Sequence, residues 1–180
     1  MDKMEKEAEK VDPREKESCL SYIKMMSAGV LFLGVCSIGV GIAVLVLLDG
    51  AKYPLTSGTG IWMSGNHIAF GCVGIAAAMA TNEITQMKLL NGHYVVSILL
   101  MTQGYPMATS IQGLIVCANG DEKCGSNSDA LAALQGVQVG ILVLSYFIGI
   151  ASMVLHNKKK CVLHPEWKYR RGCCGGSSCD

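Results

Sequence analysis

Four long runs of apolar residues dominate the pattern of this chain. Residues 30–48, 61–80, 95–117 and 131–155 contain no Asp, Glu, Lys or Arg. Each run is about 19 to 25 residues long, enough for a helix to cross a bilayer core of roughly 30 Å. A soluble protein with buried helices is the alternative, but the short polar segments between the runs leave little to cover its core. The pattern therefore predicts an all-α integral membrane four-helix bundle.

The predicted helices divide the chain into a membrane domain and two tails. The N-terminal tail is charged and has few large apolar residues, so it is expected to stay flexible. The C-terminal tail is basic and rich in cysteine. The boundaries are residues 1–24 for the first tail, 25–157 for the membrane domain, with helices at about 25–48, 61–81, 92–117 and 131–155, and 158–180 for the second tail.

Basic residues near the helix ends predict the orientation. Lys158, Lys159 and Lys160 follow the fourth helix, and Lys24 adjoins the first. Bases close to the ends of membrane helices favour the cytoplasmic side, so both termini are expected there. The first and third connecting loops then face outward. We expect no cleavable signal peptide, because residues 1–17 are charged and lack an apolar stretch, and we expect the first helix to act as the insertion signal.

The composition agrees with a membrane protein and argues against an enzyme. Hydrophobic residues make up 51% of the chain and charged residues 16%, and 15 basic residues nearly balance 14 acidic ones. The loops are too short to hold a soluble catalytic domain, and no catalytic triad, carboxylate pair or phosphate-binding loop occurs. We expect no cofactor, no metal and no nucleic-acid partner; the lipid bilayer is the expected environment.

The cysteines fall into two groups by predicted compartment. Cys117 and Cys124 flank the outer loop CANGDEKC and are expected to form a disulfide. On the predicted cytoplasmic side, Cys161 follows three lysines and Cys173–Cys174 come just after Arg170–Arg171, which is typical of reversible palmitoylation. A zinc site in CCGGSSC is the alternative, but that stretch lacks correctly spaced pairs and a nearby histidine. The lipidation candidates are Cys19, Cys161, Cys173 and Cys174.

Small residues recur four positions apart in three of the predicted helices. Residues at this spacing share a helix face, and small ones let two backbones approach closely. The pattern predicts close helix packing and leaves open whether each stripe packs within one chain or between two. The candidates are Ser37, Gly41, Gly74, Ala78, Ala132, Gly136 and Gly140.

Uncharged polar residues occur at matching depths in the outer third of three helices. Such side chains in hydrocarbon face one another or a wet cavity. They are interpreted either as an outer vestibule for ions or small molecules, or as hydrogen bonds that set helix register. The polar layer comprises Asn66, His67, Gln112, Gln135 and Gln138.

A proline interrupts the third helix. Pro106 lies near its middle and frees the carbonyl of Thr102 from its usual hydrogen bond. A kink is expected there, either as a gating hinge or as a static bend.

The order of features resembles a known family. The stretch SGTGIWMSGNHIAFGCVGI at residues 57–75, KLLNG at 88–92 and the basic-cysteine sequence at 158–161 are similar to the membrane-spanning four-domain family, relatives of the B-cell tetraspan antigen and sarcospan. Of that family's aromatic pair before helix two, Trp62 alone remains. The resemblance covers residues 24–161.

What the resemblance implies is a non-enzymatic plasma-membrane protein that oligomerises, as a dimer or higher, and modulates partner receptors or channels. An intracellular vesicle membrane is the alternative location. The alternative function is a subunit of an ion channel or small-solute transporter that uses the outer polar layer.

Overall fold

A computed structural model describes residues 13–47, 55, 58–120, 122–159 and 163. Within them the chain is helical and contains no strand. Three of the helices, α1, α2 and α5, are long and apolar enough to cross a membrane. The elements are α1 Pro13–Leu47, α2 Thr59–Met79, α3 Glu83–Met101, α4 Gly104–Ala118, a 3₁₀ helix Glu122–Asn127 and α5 Ser128–Lys158.

The first helix begins well before its apolar run. The sequence placed residues 1–24 in a flexible tail, but the structure is helical from Pro13 onward. Proline is suited to a helix start because its fixed φ is already helical and its missing N–H would be unpaired there anyway. The early turns are held by packing, since Cys19 and Ile23 are buried in a cluster with Leu90. Residues 1–12 lie outside the described part of the chain.

The predicted third helix is two helices rather than one bent helix. It begins at Glu83, where the Asn82 side chain accepts hydrogen bonds from the N–H groups of Ile84 and Thr85. It then breaks at Thr102 and Gln103, between α3 and α4. The break comes just before Pro106, which has no N–H to donate to the carbonyl four residues earlier. The predicted distortion is present, but it is a break rather than a smooth kink.

Buried positions in the long helices alternate three and four residues apart. This spacing is that of helices crossing at a shallow angle, as in coiled coils and four-helix bundles. The inward positions are occupied largely by small and polar residues. They are Cys19, Ile23, Ser27, Val30, Gly34, Ser37, Gly41 and Val44 in α1, and Leu131, Gln135, Gln138, Leu142, Ser145, Gly149, Ser152 and His156 in α5, where Ile141 beside Leu142 is buried as well.

The helices pack as neighbours in an antiparallel arrangement. Helix α1 contacts α2 and α5, α3 contacts α2 and α5, and α4 packs mainly on α5. A Cβ at Gly34 would lie 2.9 Å from His67 Cβ, and one at Gly41 would lie 3.1 Å from the Ile61 nitrogen. These close approaches show that glycines let α1 and α2 lie backbone against backbone.

An ion pair joins the first and last helices at one end of the bundle. Lys159 Nζ donates to Glu15 Oε1 at 2.6 Å. The hydrogen bond to the Glu15 carboxylate, with its negative charge, raises the pKa of Lys159 above its ordinary value. The start of α1 and the end of α5 therefore meet on the same side.

Candidate functional site

Polar side chains lie in layers along the core of the bundle, beginning with an imidazole cluster near the Glu15–Lys159 end. His93 Nδ1 lies 3.0 Å from His156 Nε2, and His93 Nε2 lies 3.2 Å from Ser27 Oγ. The Phe70 ring packs on the His93 ring with centroids 4.3 Å apart. Four helices thus meet around one imidazole.

The second layer is a pair of serines one helical turn further along the bundle. Ser97 and Ser152 are both fully buried, and their Oγ atoms are 3.0 Å apart. Ser97 Oγ also donates to the carbonyl of His93 at 2.8 Å. The hydroxyls satisfy each other in the apolar interior, where an unpaired one would be costly.

The third layer is centred on His67, one of the predicted polar residues. Its Nδ1 lies 2.7 Å from the Met63 carbonyl, and its Nε2 lies 2.8 Å from Ser145 Oγ. Because a carbonyl only accepts, the geometry assigns the Nδ1–H tautomer, in which Nε2 accepts from Ser145. Ser145 Oγ is also 2.7 Å from the Ile141 carbonyl, so its single hydrogen is shared between two acceptors.

The fourth layer joins three helices around Ser37. Its hydroxyl donates to the Gly60 carbonyl at 2.8 Å and accepts from Gln138 Nε2 at 3.0 Å. Beside it, Gln135 is buried against α4, where a Cβ on Gly113 would lie 3.3 Å from the Gln135 Cδ. A gap of about 10 Å³ adjoins both glutamines, room for a single water molecule.

The layers include part of the predicted polar set and exclude the rest. His67, Gln135 and Gln138 are buried in the core, whereas Asn66 is half-buried. Gln112 is exposed on the outer face of α4 and does not join the others, because its neighbour Gly113 occupies the inward position.

The sequence did not predict the first two polar layers, nor Ser145 in the third layer. The missed residues are buried serines and histidines on α1, α3 and α5, which look unremarkable one at a time in the sequence. The seven-residue spacing of polar positions in α5 was the available signal, since residues seven apart share one face of a coiled-coil helix. The missed residues are Ser27, His93, Ser97, Ser145, Ser152 and His156.

The predicted small-residue stripes have different outcomes. Ser37, Gly41 and Gly74 are buried at helix contacts, and a Cβ on Gly74 would overlap Ser27 Oγ. Ala78 is half-buried. The small residues of α5 do not form a close helix contact within the chain. Ala132 is half-buried and packs against a core cluster. A Cβ at Gly136 would meet only a Leu114 methyl at 3.9 Å, and a Cβ at Gly140 would meet nothing within 4 Å.

The cysteines likewise divide. Cys117 and Cys124 are at disulfide distance, with Cα atoms 5.4 Å apart, and both are buried. Cys19 was predicted as a lipidation candidate, but it is 4% exposed and faces the core. Its thiol is therefore not accessible for lipidation in this structure. The cause is the early start of α1, which turns Cys19 inward. The candidates Cys161, Cys173 and Cys174 lie outside the described residues.

The described residues hold one close pair of possible metal-ligating side chains. His93 and His156 form a pair, but no group of three or more His, Cys, Asp or Glu side chains occurs among these residues.

Over its described residues the chain is an all-helical protein with three helices long and apolar enough to cross a membrane and with a layered polar core. No family model matches the chain, and neither a curated protein nor a solved structure matches it.

Proposed function

We propose that this chain is a non-enzymatic four-span protein of the plasma membrane that associates laterally with copies of itself and organises or modulates receptors or channels. Helices α1, α2 and α5 are three of the spans, and the broken pair α3–α4 is the fourth. Support for the fourth span comes from its packing, because α3 and α4 in turn line the length of α5. The cytoplasmic termini and the resemblance to the membrane-spanning four-domain family are part of the same proposal.

The two ends of the bundle differ in a way that supports this orientation. The Glu15–Lys159 ion pair brings the start of α1 and the end of α5 together, with Lys158 beside them. Bases at helix ends favour the cytoplasmic side. The Cys117–Cys124 pair lies at the end of α4, toward the opposite end of the bundle, which suits an oxidising exterior.

The observation that carries lateral association is the open glycine stripe on α5. Gly41 and Gly74 are enclosed by contacts with neighbouring helices of the bundle, whereas Gly140 has open space at its Cβ position. Exposed apolar side chains, among them Val137 and Leu144, flank it. Small residues on a lipid-facing surface permit a second helix to approach closely, and this close approach is what drives association in lipid. We therefore assign the stripe to an interface between copies.

A bilayer dimerisation measurement tests the assignment. Gly140→Leu should lower the dimer fraction several-fold, measured by energy transfer between labelled chains in vesicles. The matched control is Gly29→Leu. Gly29 is exposed on α1 and also has no heavy atom within 4 Å of its Cβ position. It is not part of a small-residue stripe, because the residues four positions away are Met25 and Leu33. A dimer fraction that is equal in both variants, or a monomeric wild type, contradicts the proposal. Receptors or channels that co-purify with the wild type and are lost with Gly140→Leu identify the partners.

A second candidate function, a subunit of a channel or transporter, is favoured by the polar layers that run through the core. Vesicles containing the purified protein should then conduct protons or a small solute. If His67 takes part, His67→Gln should abolish a pH-dependent flux between about pH 5 and 8, because glutamine retains hydrogen bonding but does not titrate. The organising function instead expects no flux, and a His67→Gln variant that keeps its partner association.

A further inference from the structure

Two polar side chains, Gln103 in the break between α3 and α4 and Ser110 on α4, are buried without side-chain hydrogen bonds. Gln103 and Ser110 are both 0% exposed. Neither the Nε2 nor the Oε1 atom of Gln103, nor the Oγ atom of Ser110, has a hydrogen-bond partner within the described part of the chain. Most buried polar groups are paired, so each exception requires an explanation, such as a bound water or ion. Three orphaned atoms on the core-facing side of one short segment, residues 103–110, suggest a common cause.

The helix register places these two residues at polar layers of the core. Helix α5 runs antiparallel to α3 and α4. In such a pair, residues at the same depth have numbers with a nearly constant sum, and the residues of α5 that contact α3 or α4 follow this rule. Extending that register past the break puts Gln103 at the depth of Ser145 and Ser110 at the depth of Gln138. The pairs that define it are His93 with His156, Ser97 with Ser152, Leu100 with Gly149 and Gly113 with Gln135.

The break itself adds backbone groups at the depth of Gln103. The last carbonyls of a helix and the first N–H groups of the next have no partners inside their own helices. Here α3 ends at Met101 and α4 begins at Gly104, and the Gln103 side chain forms no capping hydrogen bond. Thr102 donates to the Leu99 carbonyl and Met107 N–H donates to the Gln103 carbonyl, so only the remaining groups of the break are open to a ligand. The end of α3 carries partial negative charge and the start of α4 partial positive charge. Acceptors and donors therefore occur together at one place.

The lack of charged side chains in the membrane interior favours an uncharged ligand at this site. No Asp, Glu, Lys or Arg occurs between Lys88 and Asp121, nor in the apolar runs of α1, α2 and α5. An ion in this interior would have no counter-charge, whereas an uncharged molecule with both donors and acceptors matches the amide of Gln103 and the hydroxyl of Ser110. Discontinuous membrane helices use their unwound backbone in this way to hold polar ligands.

We propose that the core-facing side of the segment from the α3–α4 break to Ser110 binds water-sized, uncharged hydrogen-bonding molecules, one held by Gln103 at the break and another by Ser110. Bound there, they connect the His67–Ser145 layer with the Ser37–Gln138 layer. The two separate pairs then form one continuous hydrogen-bonded column in the outer half of the bundle. This inference does not depend on the proposed function, because an organising protein and a channel can both contain such a site.

The direction in which Gln103→Met changes the melting midpoint tests the site. Gln103→Met replaces the amide with an apolar side chain of similar shape. If the amide binds water-sized molecules, the variant loses those hydrogen bonds and its melting midpoint in detergent should fall by roughly 2 to 6 °C. If the amide is dry and unpaired, removing it relieves a penalty and the midpoint should rise, which overturns the proposal. Gln112→Met, on the exposed face of the same helix, is the control and should not change the midpoint.

A spectroscopic measurement on the wild type covers the case in which Gln103→Met does not fold. With ¹⁵N-glutamine-labelled protein in lipid nanodiscs, the Gln103 side-chain amide should exchange magnetisation with water. No water contact at that amide overturns the proposal. Replacing sodium by choline in the buffer should leave the melting midpoint unchanged, and a sodium-dependent shift would show a cation in place of the uncharged ligand and contradict the assignment.

Discussion

The imidazoles of His93 and His156, 63 residues apart in sequence, lie in direct contact, with Nδ1 of the first 3.0 Å from Nε2 of the second. Both are fully buried. The contact links α3 to α5, and Ser27 extends it to α1. Removing one member of such a network deprives the others of a partner in an apolar interior, where that loss is costly.

The histidine pair should therefore behave non-additively. His93→Leu alone is expected to destabilise the protein by about 1 to 3 kcal/mol, because His156 loses a buried partner. The double variant with His156→Leu should cost less than the sum of the two single changes. Thermal unfolding of all four forms in detergent measures the coupling, and strictly additive losses would show that the contact contributes nothing.

Gly74 should not tolerate even one added methyl group. A Cβ there would overlap Ser27 Oγ and lie 2.6 Å from the His93 ring, so Gly74→Ala is expected to cost about 1 to 3 kcal/mol through overpacking. Gly65→Ala, in the same helix but with nothing within 4 Å, should be neutral or stabilising, because alanine favours helix. Melting midpoints of the two variants provide the comparison, and a similar midpoint for both would refute this packing.

The disulfide should stabilise the outer end of the bundle. Non-reducing peptide mapping of protein from the cell surface should yield Cys117 linked to Cys124. Their separation of 7 residues predicts that cross-linking contributes about 2 to 3 kcal/mol. Cys117→Ser and Cys124→Ser should lower the midpoint equally, and reducing agent should abolish the difference from wild type. Two free thiols at the cell surface would disprove the pairing.

Cys19 should not be acylated in the folded protein. Its thiol faces a cluster with Ile23, Ala77 and Leu90 and is buried. A palmitoyl chain there would have to displace that packing. Cys19→Ser should therefore leave total acylation unchanged in an acyl-exchange assay, and any acylation should map to Cys161, Cys173 or Cys174. Loss of signal in Cys19→Ser would mean that the first turns of α1 open in the cell.

The sequence by itself determined the elements that depend on local composition. A backbone in lipid must satisfy its own hydrogen bonds, so a long uncharged run predicts a helix and nearly its ends, as in α2 and α5. Pro106 predicted a distortion of the third apolar run because proline has no backbone N–H to donate within a helix. The Cys117–Cys124 pair was also readable, since its two members flank a short loop.

Only the tertiary structure decided which faces meet. Gln112 and Gln135 look alike in sequence, yet one is exposed and the other buried. Gly74 and Gly140 sit in similar stripes, yet one is tightly enclosed and the other open. The physical reason is that a helix can be rotated or shifted against its neighbours without changing its own hydrogen bonds. Its register is set instead by contacts between residues far apart in sequence, such as Ser37 and Gln138, 101 positions apart.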